Sequence, residues 1–264
     1  MSGFDPGWLT LREPYDAWAR EIAGLTPAFA ALLPERPRLL DLGCGTGANV
    51  RYLLLRLDRN GQRWTTVDID PVLLKRVPTS FPPWVEGVEK RQMDLNDVDA
   101  LDVAGHDAVV TTALIDLVSE GWMTRLADRI VASRRPFFAT LTVDGRVQFE
   151  TADPDDGFVM GLVDRHMDGD KGFGPSLGGR APMVAERLFA ARGYAVRTAT
   201  SDWTLTPEDA DLQHALIYGY ASAAKDLAPD ALGRIAAWAD RRHAHLCGLT
   251  VGHVDLLAVP AQRG

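Results

Sequence analysis

Apolar runs of strand length recur along the first half of the chain, at 37–42 (PRLLDL), 62–68 (QRWTTVD), 88–93 (VEKRQM), 106–112 (HDAVVTT) and 135–143 (RPFFATLTV). The third alternates poorly and is the weakest of the five. Between them apolar residues return at helical spacing, as Val50, Leu53, Leu54 and Leu57 do, and as Trp122, Leu126 and Ile130 do behind Ser119 as a helix N-cap. Strand alternating with helix predicts a mainly parallel sheet covered on both faces, a doubly wound α/β domain.

The remainder of the chain reads as additions to that core. Tyr15, Trp18, Ile22 and Leu25 give one apolar stripe on a helix beginning near Pro14, so 1–35 reads as an N-terminal helical cap on a core at 36–143. The segment 144–182 contains ETADPDDGFVMGLVDRHMDGDKGFGPSLGGRAP, rich in Gly, Asp and Pro, and reads as a long active-site loop. A helix around 183–192 and a strand around 194–204 come next. Thr206-Pro207-Glu208-Asp209 is a helix start, continued at helical spacing by Leu212, Leu216, Tyr220, Ala223 and Leu227. A second helix after Asp230 completes a helical insertion at 205–245, and 249–259 is a final strand, so 183–264 finishes the sheet of a single domain over 1–264.

Composition narrows the partners. The chain is 46% apolar and 24% charged, enough to bury a large core. A formal net charge of −8 gives no footprint for a polyanion, and the short stretches SRRP and DRRHAH read as solvated helix ends, so nucleic acid is not expected. No uncharged run reaches membrane-spanning length and no secretory leader pattern opens the chain, which predicts a cytoplasmic protein with no membrane partner. Cys44 and Cys247 are too few for a disulfide framework or a structural zinc, and no metal is expected.

Chemistry enters at RLLDLGCGTGANVRYL, residues 38–53. Gly43, Gly45 and then Ala48 satisfy the dinucleotide fingerprint, which keeps a nicotinamide oxidoreductase as an alternative. The whole string is more specific: Asp41 stands two residues before Gly43, and Gly43, Gly45 and Gly47 come in a G-x-G-x-G arrangement. This segment resembles the first motif of class I S-adenosylmethionine-dependent methyltransferases, and the resemblance extends over roughly residues 36–143. It implies a Rossmann-like, mainly parallel seven-stranded sheet with helical insertions, S-adenosylmethionine as cofactor and a small-molecule methyl acceptor. A non-catalytic S-adenosylmethionine-binding protein is a further alternative.

The same resemblance implies the cofactor contacts. Asp68 at the end of the second strand would accept from both ribose hydroxyls, with Ile69 beside it. Asp94 would accept from the adenine amino group, with Leu95 against the ring, or else it caps a turn with Asn96 and Asp97. Thr111 and Thr112 would face the methionine end. Asp41 either contacts the cofactor or holds loop amides. Arg12 would pair with the cofactor carboxylate and Tyr15 would line the pocket, unless Tyr15 belongs to the core. Methyl transfer needs a positioned nucleophile and only sometimes a base; Asp116, Glu120 and His166 are the candidates, with Asp116 first because it lies just past the fourth strand at the carboxyl end of the sheet. The sequence leaves the acceptor and the oligomeric state open.

Overall fold

The computed structural model of the chain describes residues 5–261. Five strands, β1 (Arg38–Leu42), β2 (Gln62–Asp68), β3 (Val85–Gln92), β4 (Ala108–Thr112) and β5 (Phe137–Phe149), run parallel to their neighbours among themselves. The last strand, β8 (Leu249–Pro260), pairs antiparallel with β5, with β6 (Tyr194–Thr200) and with β7 (Trp203–Leu205). The order is β3-β2-β1-β4-β5-β8-β6, with β7 lying off this path against β8. Among the described residues the expected seven strands are therefore eight, because the run read as 194–204 breaks at Ser201 and Asp202 into β6 and β7.

Helices cover both faces, as the near-continuous apolar strands require. On one face α5 (Glu120–Ala132) and α7 (Ala181–Ala190) bury Trp122, Leu126, Ile130, Ala185 and Phe189 against Leu40, Leu42 and Val109. On the other, α2 (Thr26–Ala30) and α3 (Ala48–Leu54) set Phe29, Val50 and Leu53 against Leu39, Val110 and Phe138. The short α4 (Pro71–Arg76) is capped by Asp70, whose side chain accepts from the Val72 amide at 2.7 Å. Because β1 lies between β2 and β4, successive connections leave it in opposite directions, and the carboxyl ends of β1 and β4 are where open α/β sheets place a ligand crevice.

The additions differ from the sequence reading in three places. Helix α1 spans Pro6–Ala23, capped by Asp5 with Pro6 in its first turn, and Pro14 lies inside it instead of starting it. Its expected apolar stripe is split: Tyr15 and, just past the helix, Leu25 pack on buried clusters, whereas Trp18 is 53% and Ile22 61% exposed and Arg20 is buried. The segment 144–182 is not one loop, for it holds the outer half of β5, α6 (Asp156–Met167) and a 3-10 turn at 178–180. Helix α8 (Ala210–Leu227) starts three residues later than its signal suggested, and α9 (Leu232–Ala244) packs beside it and α6 around Val159, Ile217, Ile235 and Trp238. Arg241 ties α9 to Asp153 and Asp155 at 2.7 Å each, and Arg242 pairs with Asp156. None of the described helices is long and apolar enough to cross a membrane.

Candidate active site

The turn leaving β1 is built from glycines that adopt a left-handed backbone. Gly43, Gly45 and Gly47 have φ of 65°, 53° and 85°, a region that penalises a Cβ. Space matters as well at Gly43, where a Cβ would stand 3.1 Å from the Leu114 side chain. Cys44, buried between these glycines, has its thiol pushed up by burial and by Asp41 and Asp68, which keeps it protonated and inert.

Asp68 holds this loop in shape. Its Oδ2 accepts from the Gly45 amide at 2.8 Å and its Oδ1 from the Asp70 amide at 2.9 Å. A carboxylate offers about four lone-pair directions, so two stay available for hydroxyl donors. Ile69 next to it is exposed. Asp94 lies beyond β3, its Oδ1 accepting from the Asn96 amide at 2.9 Å in a side-chain turn. Leu95 is buried and its carbonyl is taken by the Trp122 indole at 2.7 Å.

At the tip of β4, the Thr111 hydroxyl donates to the Leu42 carbonyl at 2.8 Å and so pins β4 to β1, while the buried Thr112 hydroxyl has no partner. Ala113 comes next with φ of 49°, turning the chain sharply. Asp116 is 4% exposed with Oδ1 unpartnered, and burial pushes its pKa up to about 6 although the Arg12 charge pulls it down. Asp41 is fully buried; Oδ1 accepts from the Asn49 amide group at 2.7 Å, Oδ2 has no partner, and burial raises its pKa to about 7.

Helix α1 roofs this end of the sheet with charges. Arg12, Asp16 and Arg20 stand at four-residue spacing and so share one helix face. Arg12 donates to both Asp16 oxygens, at 2.9 and 3.1 Å, and lies 4.9 Å from the Trp203 ring. Arg20 stacks 3.7 Å over the Tyr52 ring, yet its buried Nε and Nη2 have no partner. Burial lowers its pKa, and Asp255, Asp16 and Asp41 nearby act to raise it. A cavity of about 180 Å³ opens between α1 and α3, with Asp16, Arg20, Asn49, Tyr52, Thr112 and Leu141 on its walls.

Comparison with known proteins places this geometry. The family model for a methyltransferase domain matches residues 39–136, which span the glycine turn, Asp68, Asp94 and Asp116. This segment is similar to a methyltransferase domain. Of the curated relatives, the biotin biosynthesis bifunctional protein BioCD of Bordetella avium is 43% identical over 68 residues, 25% of this chain and 14% of that protein. The match to a non-reducing polyketide synthase of Penicillium shearii, 30% identical over 90 residues, covers 33% of this chain and 4% of that protein. The chain thus matches only a small part of either curated relative. Among solved structures, a cyclopropane-fatty-acyl-phospholipid synthase-like protein from Lactobacillus casei superposes with a TM-score of 0.60 at 12% identity, covering 97% of this chain and 94% of that one. A geranyl diphosphate C-methyltransferase from Streptomyces coelicolor gives 0.50 at 13% identity, covering 91% and 75%. At such identities these two show the fold.

S-adenosylmethionine is the cofactor expected of a methyltransferase domain, and the residues present fit it. Cationic and neutral donors (Arg20, Thr112) stand with acceptors (Asn49 Oδ1, Asp41 Oδ2), all buried and unpartnered. Such a set suits the carboxylate and ammonium of an amino acid, because buried polar groups without partners are costly unless a ligand completes them. The structure differs from the sequence reading in the residues it offers here. Arg12 is already paired with Asp16, and the Tyr15 hydroxyl donates to Asp209 of the helical insertion at 3.0 Å. His166 ends α6 with Lys171 Nζ 3.3 Å from Nδ1 and Asp226 3.5 Å from Nε2, partners drawn from the additions and not from the glycine turn. Glu120 sits in the first turn of α5 beside Arg187 at 2.5 Å. Arg20 and Asn49 escaped the sequence reading; the signal that could have found Arg20 is the repeat of charge at 12, 16 and 20.

Proposed function

We propose that the chain is an S-adenosylmethionine-dependent methyltransferase acting on a small-molecule acceptor, working in the cytoplasm, where its two unpaired cysteines stay thiols. The observation that carries this reading is the set of unpartnered buried groups under α1, Arg20, Thr112, Asn49 and Asp41, standing beside the glycine turn of a methyltransferase domain. When bound, the cofactor supplies an electrophilic methyl group on a sulfonium. The chain's own residues do the rest. Asp68 and Asp94 hold the ribose and purine, Arg20 and Thr112 the carboxylate, and Asn49 and Asp41 the ammonium. Thr111 keeps the β4 tip in register with β1.

Asp116 is the group assigned to the acceptor. A carboxylate with a pKa near 6 is mostly ionised at neutral pH, yet it holds a proton better than an ordinary aspartate, which suits a base that removes a proton from a hydroxyl or amine as it attacks. An enclosed roof favours a small acceptor: α1 lies over the glycine turn, with Leu9 3.5 Å from where a Gly45 Cβ would stand. The test is calorimetric titration with S-adenosylhomocysteine and with NADH, then incubation of the protein with methyl-labelled cofactor and a metabolite extract. Binding of the adenosyl ligand and label transfer to a small molecule are expected. Binding of NADH alone would favour the nicotinamide enzyme, and tight adenosyl binding with no acceptor labelled would favour a non-catalytic binder.

A further inference from the structure

The segment after α6 makes contacts that no part of the site so far explains. Residues 168–178 run alongside the turn that carries Asp116. The Gly178 amide donates to the Asp116 carbonyl at 2.9 Å, the Leu177 amide to the Val118 carbonyl at 2.8 Å, and the buried Ser176 hydroxyl to the Leu117 carbonyl at 2.9 Å. At its other end the same segment reaches the turn after β3. Asn96 Nδ2 donates to the Gly172 carbonyl at 2.8 Å, and Phe173 lies edge-on to Trp122 at 5.6 Å, the indole whose N–H is bound to Leu95. Between the two ends the segment is internally braced. Asp170 Oδ1 accepts from the amides of Gly172 and Gly174, at 2.6 and 3.0 Å, and the Ser176 hydroxyl shares its one proton between the Leu117 carbonyl and the Gly169 carbonyl 2.7 Å away.

We propose that residues 168–178 form a strap tying the purine end of the crevice to its transfer end, with Asn96 as the positioning residue that couples the Asp94 turn to Asp116. The inference rests on the assignment of Asp94 to the purine. Asp94 and Asn96 share one turn, since the Asp94 carboxylate accepts from the Asn96 amide. A purine held by Asp94 fixes that turn, the Asn96 side chain then fixes Gly172, and the braced segment carries the restraint to the hydrogen bonds flanking Asp116. A contiguous hydrogen-bonded element with two anchored ends is the physical means by which occupancy at one end steadies the other.

The experiment reads amide hydrogen exchange at Leu177 and Gly178 in the ¹⁵N-labelled full chain, free and saturated with adenosine, which has no methionine portion and so no direct hold on the transfer end. S-adenosylhomocysteine is run in parallel, and calorimetry on the same samples establishes saturation. In the wild type each ligand is expected to slow exchange at both amides by about tenfold. In Asn96→Ala both ligands still bind, and the slowing by adenosine falls to about twofold or less while that by S-adenosylhomocysteine falls only in part; Phe173→Leu, which weakens the second anchor, gives an intermediate value with adenosine. The ratio with and without ligand is decisive, because a purely structural loss at this exposed position moves both rates alike. With adenosine, equal slowing in Asn96→Ala and wild type, or no slowing in the wild type with adenosine bound, overturns the strap. Failure of S-adenosylhomocysteine to bind at all overturns the cofactor assignment, and the strap with it, and calorimetry alone separates that result from the other two.

Discussion

Arg20 is the residue whose surroundings make least sense without a ligand. A buried guanidinium ordinarily spends its donors on carboxylates, yet here Nε and Nη2 are unpartnered while Asp41 and Asp255 each keep one buried oxygen unpartnered as well. Replacing it tests the amino-acid subsite separately from the nucleoside subsite. Arg20→Met is expected to weaken S-adenosylhomocysteine by about 1.5–3 kcal/mol, roughly 10- to 100-fold, as loss of a charge-assisted hydrogen bond does, and to leave adenosine affinity unchanged by calorimetry. Asp116 gives a second residue-scale test, through pH. Its folded pKa of about 6 lies above its ordinary value of 3.8, so the fold prefers the neutral acid. Below about pH 4 the group is protonated in both states and costs nothing; as pH rises through about 6 the wild type must bury a charge and loses stability. Denaturant titration of Asp116→Asn should therefore match the wild type near pH 4 and exceed it by about 2 kcal/mol near pH 8. The candidate acids could be picked from the sequence, since Asp41 and Asp68 stand near the carboxyl ends of strands marked by apolar runs, and Asp94 follows the weaker third run. Arg20 was not, because a charge on a helix reads as solvated until its neighbours in space are known.

Elements were recovered where one periodicity dominates, and mistaken where two compete. The central strands β1, β2 and β4 read cleanly because burial on both faces leaves almost unbroken apolar runs. Strand β3 alternated poorly because it is the edge of the sheet, with residues exposed along its length, and it covers 85–92 where the pattern gave 88–93. Helix α1 mixes the two kinds of residue: its packed side carries Arg12, Asp16 and Arg20 beside Leu11, Tyr15 and Ala19, while Trp18 and Ile22 face outward, so only part of the apolar stripe marked the buried side. The late start of α8 has a local cause. Asp209 accepts from the Thr206 amide at 2.8 Å and from the Thr206 hydroxyl at 3.1 Å, closing a turn that postpones the helix to Ala210. Since the Tyr15 hydroxyl reaches this same carboxylate, Asp209 also joins α1 to the insertion. Asp209→Ala is expected to cost about 1–2 kcal/mol in thermal unfolding and Tyr15→Phe about 1 kcal/mol or less. The double variant should lose less than the sum, because both changes remove one shared bond.

At the scale of the molecule, the methyltransferase match ends at residue 136. The strap, the helical insertion and the β5–β8 arm all lie C-terminal to that point, and α1 lies N-terminal to the match. Contacts tie α1 to the core and to the additions that follow the match. Glu13 of α1 pairs with Arg51 of α3 at 2.6 Å, Glu21 pairs with Arg56, and the Trp203 indole of β7 donates to Asp16 at 3.1 Å. A ligand gripped by core and roof together therefore binds the folded chain alone, and its binding energy adds to stability. S-adenosylhomocysteine at a hundred times its dissociation constant should add about 2.7 kcal/mol, which in a chain of this size raises the melting midpoint by about 5–10 °C. NADH should leave the midpoint where it is. The Arg20→Met protein gives the internal control: adenosine should still raise its midpoint as it does for the wild type, while S-adenosylhomocysteine should lose its advantage over adenosine. If S-adenosylhomocysteine raised both proteins equally, the cavity under α1 would not be where its amino-acid end sits. If NADH were the ligand that raised the midpoint, the glycine turn would be serving a dinucleotide instead.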